Sequence, residues 1–192
     1  EKITTTKVLD KFDIRRNEYI LCVSRLEPEN NAHTIIEAFK KIGTNKKLLI
    51  VGDAPYATEY KSYLKDLAKN DSRIVFTGFV FGKGYKEFQS NAYCYIHSTE
   101  VGGTHPALIE AMGFGNCVLA NGTPENIEVV GNAGIIYKKN DIGDLKEKLE
   151  YVIRNPEVIK MYGEKAKERI KANYSWDMVT DKYESLFLEM VS

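Results

Sequence analysis

The stretch Tyr93–Phe114, YCYIHSTEVGGTHPALIEAMGF, decides the fold class. Its first five residues are apolar on both faces, which is typical of a strand inside a buried parallel sheet. Gly102 and Gly103 follow as a turn, and Pro106 suits the first position of a helix because its missing amide hydrogen would be unpaired there. A strand, a glycine turn and a helix in this order predict one unit of an α/β fold.

The same alternation of short apolar runs and longer amphipathic segments extends along the chain. Strand–helix–strand repetition implies parallel strands with right-handed crossovers. We therefore predict a three-layer α/β/α Rossmann-like domain with a mostly parallel six-stranded sheet and a C-terminal helical segment. The predicted strands are Tyr19–Ser24, Lys47–Val51, Ile74–Thr77, Tyr93–His97, Cys117–Ala120 and Gly134–Tyr137.

Residues 1–18 are polar and weakly patterned, which indicates a linker or interdomain segment, and residues 19–192 form the predicted domain. Apolar stripes at three- and four-residue spacing define the helices. Those predicted are Ala32–Ile42, Tyr56–Asn70, Tyr85–Ala92, Pro106–Phe114, Asp141–Asn155, Pro156–Asn173 and Ser175–Ser192.

The composition excludes several classes of function. Twenty-seven basic residues balance 27 acidic ones, and this argues against a broad nucleic-acid interface. The three cysteines lie in apolar runs and match small core residues, which favours a reducing, cytoplasmic compartment. No apolar run approaches the ~18 residues of a membrane span.

Ligands bind beyond the carboxyl ends of the strands in an open parallel sheet. Gly102 and Gly103 lie at such an end, and a helix begins just after them at about Pro106. The free amides and the positive dipole end of a helix start form an anion site, which suits a phosphate or diphosphate. The same glycines also suit an ordinary tight turn.

Two charged residues lie near this edge. Glu110 is one turn into the helix, where its carboxylate is placed to accept two hydroxyls of a ribose diol; a solvent-facing glutamate is also favoured there by the helix dipole. Arg25 directly follows the first strand, and its planar guanidinium suits phosphate oxygens. A surface ion pair with Glu27 or Glu29 is the alternative for Arg25.

The remaining polar residues at the edge are less specific. His97 and His105 flank the glycine turn, and each suits either a ligand contact or an ordinary loop position. Gly52 ends the second strand in a Gly-Asp turn. The sequence has no metal-ligand spacing and no Gly-Lys-Ser/Thr phosphate loop, and residues 82–84, Gly-Lys-Gly, are predicted to be a loop.

Five short segments occur in a fixed order: Val23–Pro28, Leu49–Asp53, Val75–Phe79, Glu110–Gly115 and Tyr174–Trp176. In this order they resemble the C-terminal domain of the retaining family-four glycosyltransferases, which have the GT-B fold. The resemblance covers about residue 19 to the C-terminus. It implies that this domain holds the nucleotide-sugar donor and that an N-terminal domain, absent from these residues, holds the acceptor.

The resemblance also implies roles for individual residues. Arg25 would neutralise the diphosphate and act in catalysis, and Glu110 would bind the ribose. The turn would contact phosphate and sugar, the loop after the third strand would contact the base, and neither a metal nor a separate cofactor would be needed. The predicted substrate-binding set is Glu110, Gly102, Gly103, Thr104, Gly52, Phe79, Val80, Glu100, His105 and Asn30.

Two positions depart from the family pattern. Asn30 stands where the family usually has a lysine, and Gly102 stands where it has a glutamate. Glu100 replaces that carboxylate only if the turn is longer. The variants around both positions resemble a subgroup that includes rhamnosyltransferases of surface-polysaccharide assembly.

The resemblance implies transfer of a hexosyl-type sugar with retention, from a nucleoside-diphosphate sugar to a saccharide or lipid-linked saccharide. The full-length protein would be cytoplasmic, at the inner face of the membrane, with any membrane contact made by its other domain, and the isolated chain is expected to be inactive. Two alternatives share the architecture. A non-hydrolysing sugar-nucleotide epimerase would need acid and base residues in the cleft, and a flavodoxin-like or receiver-like module would need an acidic cluster or flavin loops.

Overall fold

The structure, a computed structural model, describes residues 3–191. Its centre is one sheet in which all six strands of the described chain run parallel, in the order β3-β2-β1-β4-β5-β6. The sheet is therefore wholly parallel, where a mostly parallel one was predicted. The strands are β1 Tyr19–Val23, β2 Lys47–Val51, β3 Ile74–Gly78, β4 Cys94–His97, β5 Val118–Asn121 and β6 Ile135–Tyr137.

Helices follow the strands along the chain, and three close the C-terminal end. A single 3-10 turn, Pro28–Asn30, comes between β1 and the next helix. The helices are α1 Lys7–Lys11, α2 Ala32–Lys40, α3 Thr58–Ala68, α4 Gly82–Asn91, α5 Pro106–Gly113, α6 Pro124–Val130, α7 Ile142–Arg154, α8 Pro156–Asn173 and α9 Trp176–Val191.

Two apolar clusters, one on each face of the sheet, give the three-layer arrangement. The first packs α2, α3 and α7 against the sheet, through residues such as Phe39 and Leu149. The second packs α4, α5 and α8 against the other face, through residues such as Phe88 and Met112. Because both faces are covered, the strands are apolar on both sides, as the sequence pattern predicted.

Strand order places the ligand-binding edge. β1 pairs with β2 from Tyr19↔Lys47 to Val23↔Val51, and on its other side it pairs with β4 at Ile20↔Cys94. The chain thus builds outward from β1 to β3 and then returns to lie beside β1. At such a reversal the connections leave toward opposite faces and open a crevice at the carboxyl ends of β1 and β4.

Residues 3–18, the described part of the segment 1–18 that was expected to be a linker, contain α1 and pack on the domain. Leu9 is fully buried, and the backbone N–H groups of Val8 and Leu9 donate to the Glu87 carboxylate at 2.6 and 3.0 Å. Burial opposes ionisation of Glu87, but these bonds and one from Thr5 outweigh it and lower the carboxyl pKa. Whether this segment also joins a second domain stays a prediction.

Three local features differ from, or add to, what the sequence predicted. The Gly-Lys-Gly stretch at 82–84 is the first turn of α4 rather than a loop, because the helix begins at Gly82, which has a left-handed φ of 60°, with only three residues between it and the end of β3. Helix α6 was not predicted; Thr123 caps it by accepting from the Asn126 N–H at 3.3 Å. The apolar stripe of α9 is mostly unpacked, since Trp176, Tyr183 and Phe187 are exposed, whereas Met178 and Val179 are partly buried. Residue 192, the predicted end of that helix, lies outside the described residues.

Candidate functional site

A cavity of about 450 Å³ opens at the carboxyl ends of β1 and β2. One wall is formed by the end of β1 with Arg25, and the opposite wall by Pro106, Ala107 and Glu110 of α5. The loop after β3, with Phe79, completes it together with the start of α4. We call it the inner cavity. Its lining is mostly apolar with one carboxylate and one guanidinium, a combination that suits a flat ring attached to a polar group.

A second cavity of about 450 Å³ lies beside the first and shares part of its wall. The shared residues run from Val23 to Arg25 on β1 and from Pro106 to Ala107 on α5. We call it the outer cavity. The pair of cavities fits a ligand of two parts joined near Arg25 and the start of α5. The outer cavity is otherwise lined by Glu29, Asn30, His97, Thr99, Val101, Gly102, Gly103 and His105.

Arg25 lies at the shared wall with its side chain 64% exposed. Its Nη2 lies 3.1 Å from the buried Glu27 carboxylate, and its Nη1 donates to the Tyr56 hydroxyl at 3.3 Å. The Tyr56 hydroxyl also donates to Glu27 in a short bond. The bond to Tyr56, followed by the charge of Glu27, raises the pKa of Arg25. The ion pair with Glu27, which was the alternative considered for Arg25, is thus formed. The guanidinium nevertheless lines both cavities.

Glu110 projects into the inner cavity from α5. Its Oε2 accepts a hydrogen bond from the Tyr85 hydroxyl at 2.5 Å. Tyr85 in turn accepts from Gln89 Nε2 at 3.0 Å, and the Asn116 side-chain amide donates to Gln89 Oε1 at 3.1 Å. Burial, and then the bond to Glu110, raise the pKa of Tyr85, so its phenol keeps its proton. The protein thus holds the Oε2 atom of the carboxylate, and the side chain lines the cavity.

The glycine turn lies across the mouth of the outer cavity. Gly102 has φ 125°, a region that disfavours side chains, and a Cβ there would lie 3.0 Å from the His105 ring. The His105 ring packs on the His97 ring with centroids 4.7 Å apart. The glutamate of the family pattern would therefore be strained in this turn. Thr104 is exposed and lines neither cavity.

His97 is 4% exposed and lines the outer cavity. Its Nε2 is buried without a hydrogen-bond partner among residues 3–191. Burial, followed by the proximity of His105, lowers the pKa of His97 to about 3. Burial also lowers the pKa of His105, against a smaller opposing effect of Glu125. Both imidazoles are accordingly uncharged near neutral pH, and they offer hydrogen bonds rather than positive charge.

Asn30 is held within the protein. Its Nδ2 donates to the Arg25 carbonyl at 3.0 Å, and its Oδ1 accepts from the Thr99 hydroxyl at 3.0 Å. Its backbone carbonyl accepts from Ser98. Asn30 therefore ties the loop after β1 to the end of β4, and it shapes the outer cavity while supplying no cation.

Glu100 is not brought into the site. Its carboxylate accepts a short hydrogen bond from Asn140, and it is absent from the walls of both cavities. Its backbone N–H donates to the Glu29 carbonyl at 3.0 Å. The glycine turn therefore does not bring the Glu100 carboxylate to the position of Gly102, as a longer turn would.

Three more predicted residues, Gly52, Phe79 and Val80, line the inner cavity. Gly52 has φ 131°, and a Cβ there would lie 2.0 Å from the Ser24 carbonyl oxygen, so glycine lets the ends of β1 and β2 approach closely. Phe79 and Val80 line the cavity beside Phe81. The Phe79 and Phe81 rings stack with centroids 5.7 Å apart, and both are exposed, at 50% and 78%.

The structure thus brings together Arg25, Glu110, the glycine turn and the loop after β3. Tyr85 and Phe81 were not predicted, and His97 was considered without being selected. Tyr85 lies 25 residues before its partner Glu110, and no motif links the two positions. Among the residues described, no cluster of three or more His, Cys, Asp or Glu is placed to hold a metal ion. Nor does any described helix combine the length and apolarity that crossing a membrane requires.

The sequence of the chain was compared with models of known families. A model described as Glycosyl transferases group 1 matches residues 7–169. The chain belongs to this family. The match begins inside α1 and ends inside α8, so it covers the whole sheet and both cavities of this group 1 glycosyltransferase chain.

Individual relatives agree with this assignment. An uncharacterized glycosyltransferase of Methanocaldococcus jannaschii is 32% identical over 97% of this chain, which covers 48% of that protein. The capsular polysaccharide biosynthesis glycosyltransferase CapM of Staphylococcus aureus is 23% identical, with 97% of this chain and 50% of that protein covered. The chain therefore spans about half the length of the curated relatives it matches.

The fold is shared with a solved structure, Anabaena HepE in complex with UDP-glucose. The TM-score is 0.87 at 17% identity, and the match covers 96% of this chain and 52% of that one. This agreement confirms the GT-B Rossmann-like fold of the domain.

Proposed function

We propose that this chain is the donor-binding domain of a retaining glycosyltransferase that uses a nucleoside-diphosphate sugar. The observation that carries the proposal is the wall shared by the two cavities, where Arg25 faces the start of α5. A nucleotide sugar has the matching order: a nucleoside, a diphosphate and a sugar. The nucleoside would occupy the inner cavity and the sugar the outer one.

The inner cavity supplies the chemistry that a nucleoside needs. Glu110 is an acceptor for the ribose hydroxyls, and the exposed Phe79–Phe81 pair provides an aromatic surface beside the base. A base also makes hydrogen bonds with loop backbone, and the loop around Val80 lines the same cavity. HepE, the fold neighbour, was crystallised with UDP and with UDP-glucose, which supports a ligand of this class.

The diphosphate would lie against Arg25 and the amides at the start of α5. In sugar transfer, negative charge builds on the leaving diphosphate, so fixed positive groups stabilise the transition state more than the ground state. Arg25 carries a permanent charge, and the helix start adds its dipole. The reaction would therefore proceed without a metal, with Glu110 positioning the donor rather than transferring protons.

The sugar would contact the glycine turn and the two uncharged imidazoles in the outer cavity. A second domain of the full-length protein would bind the acceptor, which we expect to be a saccharide or lipid-linked saccharide. The capsular polysaccharide enzyme among the relatives supports a role in cell-surface glycan synthesis. Such a protein would be cytoplasmic, at the inner face of the membrane.

A thermal-shift panel of UDP, GDP and dTDP with their sugar conjugates tests the proposal on the full-length protein. A nucleotide at 100 times its dissociation constant should stabilise the folded state by about 2.7 kcal/mol. The double variant Arg25→Ala/Glu110→Ala should lose this response. If no nucleoside diphosphate shifts the transition, the proposal fails. If the donor forms an epimer without any acceptor, the protein is instead a sugar-nucleotide epimerase.

A further inference from the structure

The side chain that contacts Glu110 comes from a different helix. Tyr85 lies in the first turn of α4, and its hydroxyl donates to Glu110 Oε2 at 2.5 Å. Both residues line the inner cavity. The contact thus joins α4 to α5 at the place where the ribose is proposed to bind.

Glu110 has few other restraints. It is exposed, and a glutamate side chain has several rotatable bonds, so an unrestrained carboxylate would sample many positions. An ionised carboxylate has about four lone-pair sites for hydrogen bonds. Tyr85 occupies one of them, which leaves Oε1 and part of Oε2 for two ribose hydroxyls.

Tyr85 is itself anchored from the core. Its oxygen accepts from Gln89 Nε2 at 3.0 Å, so the phenol proton is directed to Glu110. Gln89 is 1% exposed, and its Oε1 accepts from Asn116, which is 6% exposed. The Asn116 amide also donates to the carbonyls of Gln89 and of Ala111, one residue beyond Glu110. The chain of bonds therefore runs from the interior to the carboxylate.

We propose that Tyr85 is a positioning residue, which holds Glu110 in the orientation that accepts the ribose diol. The proposal rests on the proposed function, because it assumes that a nucleoside occupies the inner cavity. It predicts that the phenol hydroxyl acts on affinity only through the ribose hydroxyls. A direct contact of Tyr85 with the base or the phosphates would change the affinity whether or not the ribose hydroxyls are present.

Titration calorimetry on the full-length protein separates these effects, with UDP and 2′,3′-dideoxy-UDP as probes, or with the matching GDP pair if GDP gives the larger thermal shift. Tyr85→Phe removes only the hydroxyl and should weaken UDP binding by about tenfold, the size of one hydrogen bond to a charged group. Binding of dideoxy-UDP should be unchanged. In a Glu110→Ala background, Tyr85→Phe should have no further effect on UDP, because the two residues act as a unit.

Tyr151→Phe is the matched control, since Tyr151 is a half-exposed tyrosine of α7 and lines neither cavity. The melting temperature of each variant shows whether it is folded, and Gln89→Leu provides a second route to release Tyr85 if Tyr85→Phe does not fold. Equal UDP affinity of wild type and Tyr85→Phe would overturn the inference, as would an equal loss for both probes. If the wild type binds none of UDP, GDP and dTDP better than the Arg25→Ala/Glu110→Ala variant does, the proposed function fails instead.

Discussion

Arg25 and Glu27 form an ion pair at the edge of the crevice, with Nη2 and Oε2 3.1 Å apart. The two members differ in exposure: the arginine side chain is 64% exposed and the glutamate 10%. Glu27 thus orients the guanidinium from the protein side, and the solvent-exposed side of the guanidinium remains available to an anion. The pair does not compete with a diphosphate for the whole cation, because a guanidinium has five donors in a planar fork.

Arg25→Ala should lower turnover by about 10²-fold, since it removes one fixed charge from the developing diphosphate. Release of nucleoside diphosphate by the full-length enzyme measures this rate. Arg154→Ala is the control, because Arg154 is a 75% exposed arginine of α7 with its own ion pair to Glu150. Near-normal turnover of Arg25→Ala would exclude Arg25 from the catalytic role.

Glu110→Ala should weaken binding of UDP by about tenfold or more through loss of hydrogen bonds to a charged acceptor. Calorimetry with UDP alone measures the loss without any acceptor substrate. Glu128→Ala serves as the comparison, because Glu128 is exposed on α6 and lies on neither cavity. Unchanged UDP affinity of the Glu110 variant would reject the ribose role.

The strands of the sheet and the meeting of Arg25 with Glu110 could be predicted from the sequence, because they depend on local apolar patterns and on strand order. All six strands were predicted within one residue at each end, since buried parallel strands have apolar residues on both faces. Arg25 and Glu110 are 85 positions apart, yet β1 and β4 are neighbours in the sheet, so their ends meet. The family resemblance supplied the roles that the residues alone left open.

The rest depends on contacts between distant residues. Helix α1 has only five residues, and its N–H groups are satisfied by Glu87, which lies nearly 80 positions away. The direction of Glu100 is determined by Asn140, 40 positions later. Tyr85 acquires its role only when α4 and α5 are placed side by side. Local pattern carries no information about any of these three pairings.

Leu9→Ala tests whether the segment before β1 belongs to the domain. Leu9 is fully buried in the second apolar cluster, so its truncation should lower the free energy of unfolding by about 2–5 kcal/mol. Denaturant unfolding measures this, with Lys11→Ala as an exposed control on the same helix. A loss below about 0.5 kcal/mol would mean that α1 is not part of the cooperative unit.

Gly52→Ala tests the close approach of β1 and β2. The added Cβ would lie 2.0 Å from the Ser24 carbonyl oxygen, and φ 131° is a strained angle for alanine. We expect a loss of about 3 kcal/mol in the free energy of unfolding. Gly43→Ala is the matched control, because nothing lies within 4 Å of a Cβ there, and it should be neutral or slightly stabilising. Equal stability of the two variants would contradict the steric account.

His97 makes the stability of the domain depend on pH in a defined direction. Its folded pKa is lowered to about 3 by burial, against about 6.5 for an unfolded histidine. Between these values the unfolded state binds the additional proton, so stability is complete above pH 6.5 and falls as the pH decreases toward 3. From pH 7 to pH 5, this residue alone should remove about 2 kcal/mol.

His97→Leu removes the titrating group and replaces it with an apolar side chain of similar size. Other groups, including His105 in contact with it, titrate in both proteins, so the difference between the two pH profiles isolates His97. Urea unfolding at pH 7 and pH 5 should show that the wild type loses about 2 kcal/mol more than the variant. Parallel profiles would mean that His97 is as easily protonated in the folded state as in the unfolded one, and that its Nε2 is not buried as described.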